Sequence, residues 1–296
     1  MSVDITIYQK GIFKKKLKLQ DILMGQFGYG RYDQNYVLVP DERSENEIII
    51  YHPDHIARGI SVVWHEEETS QVSLHMLLPT TNEEIDDLYC LIQHLCRLWK
   101  ASAFVQDGTE RKLSDIEKLK SEIKEFNYET LKSFLTEHEN GNFFCTMWPY
   151  YFRSQDVHYW LEDKSLKAFA KDLHQNQQRD LYYANAHMYQ DPQKNILGVY
   201  TVTATVDTVF PLKPMVPMSC INFQTGESIE ADRYVVALVS IQNNKMLGDI
   251  PFDDFIHEIS HRELHEFDSE HIFFEALSEE EIESIYLKYH ADSSLL

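Results

Sequence analysis

The chain is poor in the residues that punctuate or staple a fold, with ten glycines, nine prolines and four cysteines in 296 positions. So little glycine and proline excludes collagen-like and low-complexity architectures, and no run of either marks a disordered linker. Cys90, Cys96, Cys145 and Cys220 form neither CxxC pairs nor a dense framework. That excludes a disulfide scaffold and suits small buried thiols in a reducing compartment. No window approaches ~18 consecutive apolar residues, the length a membrane helix needs. The N-terminal SVDITIYQ alternates like a strand, with Asp4 inside it, where a secretory signal would be basic and then apolar. A cytoplasmic protein without a membrane contact is expected.

Positive charge is the other scarcity. Residues 201–296 hold 18 acids and five bases, and within residues 249–283 thirteen acids face the single base Arg262. With a formal net charge of -21, the chain repels nucleic acid and anionic lipid and attracts basic surfaces. No basic–aromatic patch, Walker loop or GxSxG elbow offsets that reading.

What is present is ample apolar material, 43% hydrophobic and 12% aromatic, enough for one large or two modest cores. VDITIYQ (3–9), NEIIIYH (46–52), GISVVWH (59–65) and QVSLHMLL (71–78) are rich in β-branched and aliphatic residues and read as strands, the last two as a hairpin across EEETS. LKLQDILM (17–24) reads as a short helix. Thr81 with Glu84 has capping-box spacing and opens a helix over about 81–100, striped by Ile85, Leu88, Leu91, Ile92, Leu95 and Leu98. Ile116, Leu119, Ile123 and Phe126 trace another helix after Ser114, stopped by Asn140-Gly141. NFFCTMW (142–148) reads as a strand, SLKAFAKDLHQ (165–175) as a helix, and 181–210 as two long strands around DPQKN. Strands MSCINF and RYVVALVSIQ, helix PFDDFIHEI, strand EHIFFEA and a helix capped by Ser278 and Glu281 complete the order.

These elements imply an α+β fold, with mixed or antiparallel sheets and packed helices. The expected division is an N-terminal unit over 1–104 and a C-terminal unit over 105–296. An internal echo sets Val3 on Val236, Ile5 on Leu238 and Gln9 on Gln242, and 19–23 on 252–256. It raises two related α+β halves against chance similarity of strand–turn–helix segments.

One stretch names a chemistry. FIHEISHRELHEF (255–267) contains His257-Glu258-Ile259-Ser260-His261, the pattern of a zinc-protease helix, in which two histidines one turn apart hold the metal and the Glu activates its water. The motif resembles zincins whose third ligand is a Glu on a later helix, and that resemblance implies Glu281. Three observations oppose it. A chain with this His and Glu content yields the pattern by chance about 0.06 times. The apolar stripe Phe252, Phe255, Ile256, Ile259 would bring Glu263 and Glu266 inward if the helix continued, so the helix is expected to end near Ser260. A strand also separates the histidines from Glu281.

Other candidates have ordinary readings. MGQFGYGRYD (24–33) has the glycines of a phosphate loop but runs from helix to extended chain, the wrong order for an anion cradle. Cys90 and His94 share a helix face among leucines, so a buried thiol beside a histidine is preferred to a metal pair. His65 and His75 approach only if the hairpin register permits. FFCTMWPYYF (143–152) is core, with Tyr150 and Tyr151 the place to seek an exposed aromatic patch.

DIPFDDFI (249–256) and EFDSEHI (266–272) resemble a bacterial domain-of-unknown-function family of proteins of about this length. The resemblance implies an α+β protein and transfers no catalytic residue. The leading expectation is an acidic, non-enzymatic binding or regulatory protein that needs no cofactor. It would present Asp253, Asp254, Glu263, Glu266, Asp268 and Glu270 to a basic protein, as an immunity or inhibitor protein does to a basic enzyme. The alternative is a zinc-dependent hydrolase with ligands His257, His261 and Glu281 and general base Glu258.

Overall fold

A computed structural model describes residues 1–11, 14–65, 70–137, 140–242 and 244–290. They divide into two compact units, Met1–Arg179 and Asp180–Leu296.

The first unit is built on β1 (Ser2–Tyr8), β2 (Gly28–Tyr32), β3 (Leu38–Pro40), β4 (Glu47–Tyr51), β5 (Ile60–Trp64), β6 (Gln71–Leu77), β7 (Ala103–Gln106) and β8 (Thr109–Lys112). They form one sheet in the order β3-β2-β4-β5-β6-β1-β7-β8, with every neighbouring pair antiparallel. Strict alternation puts Val3, Ile5 and Ile7 of β1, Ile60, Val62 and Trp64 of β5, and Val72, Leu74 and Met76 of β6 on one buried face. Helix α1 (Leu19–Leu23) and helix α2 (Asn82–Trp99) supply the cover; α2 lays Ile85, Leu88, Leu91, Ile92 and Leu95 onto that face. Each such side chain contributes about 1.5–3 kcal/mol by leaving water. The opposite face is polar, with Asp4, Ser61 and His75 in one cross-strand row. Edge strand β8 is exposed throughout and reads Thr-Glu-Arg-Lys, charges that discourage strand addition.

A second cluster within this unit joins α3 (Ile116–Glu137), the hairpin β9 (Asn140–Phe143) and β10 (Tyr150–Arg153), α4 (Ser154–Trp160) and α5 (Lys167–Gln177). Phe143 stacks on Phe152 at 4.3 Å between ring centroids, and Trp160 and Phe169 pack around them. The aromatic segment is core, as its composition suggests. The NFFCTMW strand is shorter than expected and ends at Phe143.

The unit boundary falls at Arg179, not at 104/105. Strand β7 pairs with β1, and α3 packs against both α2 and α4, so residues 103–137 complete the first unit. The connection of the β5–β6 hairpin, residues 66–69, lies outside the described residues.

Among its described residues the second unit holds two four-stranded sheets. One joins β11 (Tyr182–Tyr183), β14 (Thr208–Pro211), β18 (His271–Phe274) and β17 (His265–Glu266) in that order; the other joins β12 (His187–Gln190), β13 (Ile196–Thr203), β15 (Arg233–Ser240) and β16 (Lys245–Pro251). Strand β13 runs parallel to β15, and β11 to β14; the remaining pairs are antiparallel. Helices α6 (Phe252–Ile259) and α7 (Glu279–His290) pack on β15 and β16. Phe252, Phe255 and Ile259 enter a core with Tyr200, Phe210, Leu238 and Phe274.

Three segments differ from expectation. Residues 181–210, expected as two long strands, form four: β11 and β14 join one sheet, and β12 and β13 the other. MSCINF forms a 3-10 turn over Met218–Cys220 after Pro217, and its extended pairing is limited to an isolated antiparallel bridge from Ile221 to Ser228 among the described residues. Residues 245–251, with Gly248, Asp249 and Pro251, carry weak strand signals yet form β16 by pairing with β15. The internal echo has no shared topology beneath it. Strand β1 lies between two antiparallel neighbours and β15 beside a parallel one, and β16 intervenes between β15 and α6 where no described strand separates β1 from α1.

Candidate functional site

The zinc-like motif begins on α6 and outlasts it. The helix ends at Ile259 with Ser260 as its cap, and Arg262 N–H donates to the Ile259 carbonyl in the following turn. His261 therefore sits beyond the helix, its ring edge-on to that of His257 with centroids 5.3 Å apart. The two carboxylates that the motif needs are committed elsewhere. Glu258 accepts from Lys288 Nζ at 2.6 Å and from Tyr289 Oη at 2.9 Å. The Lys288 bond holds its carboxyl below the usual range, while burial and the Glu258 charge raise Tyr289 to about 12. Glu281 accepts from the Ser278 backbone N–H at 2.7 Å and from Arg262, and those bonds, Ser278 first, lower its pKa. Among the described residues, no three His, Cys, Asp or Glu side chains are placed to hold a metal ion.

The acids proposed as a partner surface separate by environment. Asp253, Glu263 and Glu266 are exposed, and Asp254 and Glu270 half-buried. Asp268 is a correction: its carboxylate is buried, accepting from the backbone N–H of Glu270 and His271 at 2.9 and 2.8 Å and meeting the His271 ring at 2.9 Å. Tyr183 Oη lies 3.0 Å from the far nitrogen of that ring. An Asp that bonds its own backbone two and three residues on is a turn former, and the turn leads directly into β18. Asp249, Glu275, Glu280 and Glu283, which were not singled out, are also exposed. Arg262 is paired with Glu281 and Lys288 with Glu258, while Lys245, four residues before Asp249, is exposed.

The remaining candidates resolve simply. Residues 28–32 form a strand, and Arg31 binds Glu42 rather than an anion. Cys90 is exposed rather than buried, whereas Nε2 of His94 is buried without a partner among the described residues, so they share no site. Cys96 and Cys145 are the buried thiols. His75 lies opposite Ser61, not His65, and its Nδ1 bonds Asp4 at 2.7 Å. Ser61 gives its hydroxyl hydrogen bond to Glu47 rather than to His75, so the Asp4, His75 and Ser61 row lacks the contact that would activate a nucleophile. Tyr150 and Tyr151 are half-buried in β10 and form no exposed patch.

The densest buried ionisable cluster was not read from the sequence. Glu84 caps nothing with its carboxylate. It accepts from Gly59 N–H at 2.6 Å, from Arg58 N–H at 3.3 Å and from Thr80 Oγ1, with only 3% of the residue exposed. Gly59 has φ +80°, and a Cβ there would meet Ile49 Cγ2 at 2.6 Å, so glycine is required to turn this N–H inward. Burial pushes the Glu84 carboxyl up against the pull of those hydrogen bonds. Arg58, 7% exposed, donates through Nε to Phe144 O at 2.9 Å and through Nη1 to Pro79 O at 3.0 Å, with its guanidinium 5.0 Å from the Phe143 ring centre. Tyr32 Oη reaches the Cys145 carbonyl at 3.1 Å, and burial raises both groups, the Cys145 thiol to about 12. A cavity of about 420 Å³ opens above Arg58 and Tyr32 on the polar side of the sheet. One signal existed: Glu84, Leu88 and Ile92 share a helix face at intervals of one turn, which places a carboxylate in an apolar stripe.

The molecule is thus an α+β protein with a buried cluster around Arg58 and Glu84 and a run of exposed acids in its second unit, and among the described residues its metalloprotease letters do not assemble a metal site. The chain belongs to the family described as Domain of unknown function (DUF4299), whose model matches residues 2–285 and so spans both units. No match emerged among curated proteins or among solved structures.

Proposed function

We propose that the protein is a cytoplasmic, non-enzymatic binding protein whose second unit offers an acidic face to a basic protein. One observation carries the reading. Asp249, Asp253, Glu263, Glu266, Glu275, Glu280 and Glu283 are exposed on one stretch of chain whose single base, Arg262, is already paired with Glu281. Such a surface steers a basic partner and rejects anionic ones, the logic by which an acidic inhibitor or immunity protein neutralises a basic enzyme. Asp268 supports the face from inside by fixing the turn before β18.

Two features favour binding over metal hydrolysis. Glu258 is held by Lys288 and Tyr289, and His261 lies past the end of α6. The test is capture on the immobilised full chain at low ionic strength, followed by affinity measurements on the purified partner. The account expects a basic protein whose affinity falls steeply between about 0.05 and 0.5 M salt as screening shortens. A partner held equally well at both would contradict it.

A further inference from the structure

The cavity of the first unit is separate from the acidic face in chemistry. Its floor is Arg58, a side chain that is always charged and more than nine-tenths buried. Nε and Nη1 are spent on carbonyls, and Nη2 has no protein partner among the described residues. Among the described residues no carboxylate lies within ion-pair distance of the guanidinium, although Glu84 acts on it electrostatically. Glu84 bonds the Arg58 backbone instead and is drawn to Gly59 and Thr80. A buried guanidinium with a spare donor and no counter-ion in contact is matched by one negative charge.

The walls define the rest of the ligand. Ile49, Leu77, Tyr32 and Tyr36 are apolar or aromatic, while Ser61 and Glu47 form a polar lip tied together by their own hydrogen bond. The volume of about 420 Å³ lies within the range of small-molecule sites. A phosphate dianion would bring two charges to one cation, beside Glu47 and Asp33, which also line the cavity. A single carboxylate balances Arg58 and leaves the apolar walls to cover a hydrocarbon body.

We infer that this cavity binds a small carboxylate with an aliphatic body, the carboxylate on Arg58 and the body against Ile49, Leu77 and the two tyrosines. The same chemistry is offered by a free acid and by the C-terminus of a peptide.

The experiment is calorimetric titration of the full chain with 4-methylpentanoate, its primary amide, inorganic phosphate, and a short leucine-terminated peptide with free or amidated C-terminus. Binding of 4-methylpentanoate without binding of its amide or of phosphate is expected. Tighter binding of the free-ended peptide, abolished by amidation, would identify a chain terminus as the source; binding of the small acid alone would identify a free metabolite. Arg58→Gln should weaken binding at least about tenfold, as loss of a charge-assisted bond does. Because Arg58 also ties down two carbonyls, Ser61→Phe is the second variant. It gives up only the bond to Glu47, fills the cavity and should weaken binding as much. Silence from every carboxylate, equal binding of amide or phosphate, or unchanged affinity in both variants would overturn the assignment.

Discussion

Two helices of this protein open with the same four-residue signal and use it differently. Ser278 and Glu281 close a complete capping box at α7: Glu281 N–H donates to Ser278 Oγ at 3.2 Å, and Ser278 N–H donates to Glu281 at 2.7 Å. Thr81 and Glu84 close only half of one at α2, where Glu84 N–H donates to Thr81 Oγ1 at 3.2 Å. The Glu84 carboxylate turns instead to residues 58, 59 and 80. Burial decides between the two. At a half-exposed helix start a carboxylate is best spent on the orphan N–H beside it. In a dry interior the Arg58 and Gly59 N–H groups would otherwise be unsatisfied, and the carboxylate must serve them.

The comparison predicts a steep ordering of effects. Glu84→Ala should cost about 3–5 kcal/mol in denaturant unfolding, because it leaves three buried donors without an acceptor. A loss below about 1 kcal/mol would show that water or side-chain movement replaces the carboxylate. Ser278→Ala should cost about 1 kcal/mol, the ordinary value of a helix cap. Glu281→Gln should cost about 0.5 kcal/mol at neutral pH, since solvent screens its bond to Arg262. Charge reversal at Asp253, Glu263 and Glu266 together should leave stability within about 0.5 kcal/mol, as these side chains lie on the surface.

The pH dependences of the two carboxylates have opposite signs. The folded pKa of Glu84 is raised above the ordinary value. Its contribution is therefore complete below the unfolded pKa of about 4.3 and is lost as pH rises through the folded value. That of Glu281 is lowered, so its contribution is present above the unfolded value and is lost as pH falls through the folded one. Denaturant midpoints measured across the acidic range should flatten on the alkaline side in Glu84→Gln and on the acid side in Glu281→Gln. The same change of slope in both variants would contradict the contrast.

Much of this architecture could be read from periodicity. Alternation in β1, β5 and β6 and the apolar stripe of α2 survive folding because each face meets a core of matching period. The end of α6 was legible for the same reason: Glu263 and Glu266 could not enter the stripe of Phe252, Phe255 and Ile259. What local pattern misses is tertiary demand. Strand β16 exists because β15 offers a pairing edge, and Asp268 is buried because the turn into β18 needs its carboxylate. Arg58 gave no periodic signal at all, since its partners are carbonyls at residues 79 and 144 and lie far off in sequence.

Buried carboxylates here hold the fold together, and exposed ones are assigned to a partner. That claim is tested most directly by measuring the affinity of the captured basic partner for two charge-reversed full-length chains. One carries Asp253→Lys, Glu263→Lys and Glu266→Lys, and the other Glu45→Lys, Glu110→Lys and Glu125→Lys, which reverse three exposed acids of the first unit. The account predicts a loss of at least about tenfold for the first chain, beyond that of the second, as expected for close charge pairs across an interface. Equal losses would show that net charge alone attracts the partner, and would contradict an acidic docking face on the second unit.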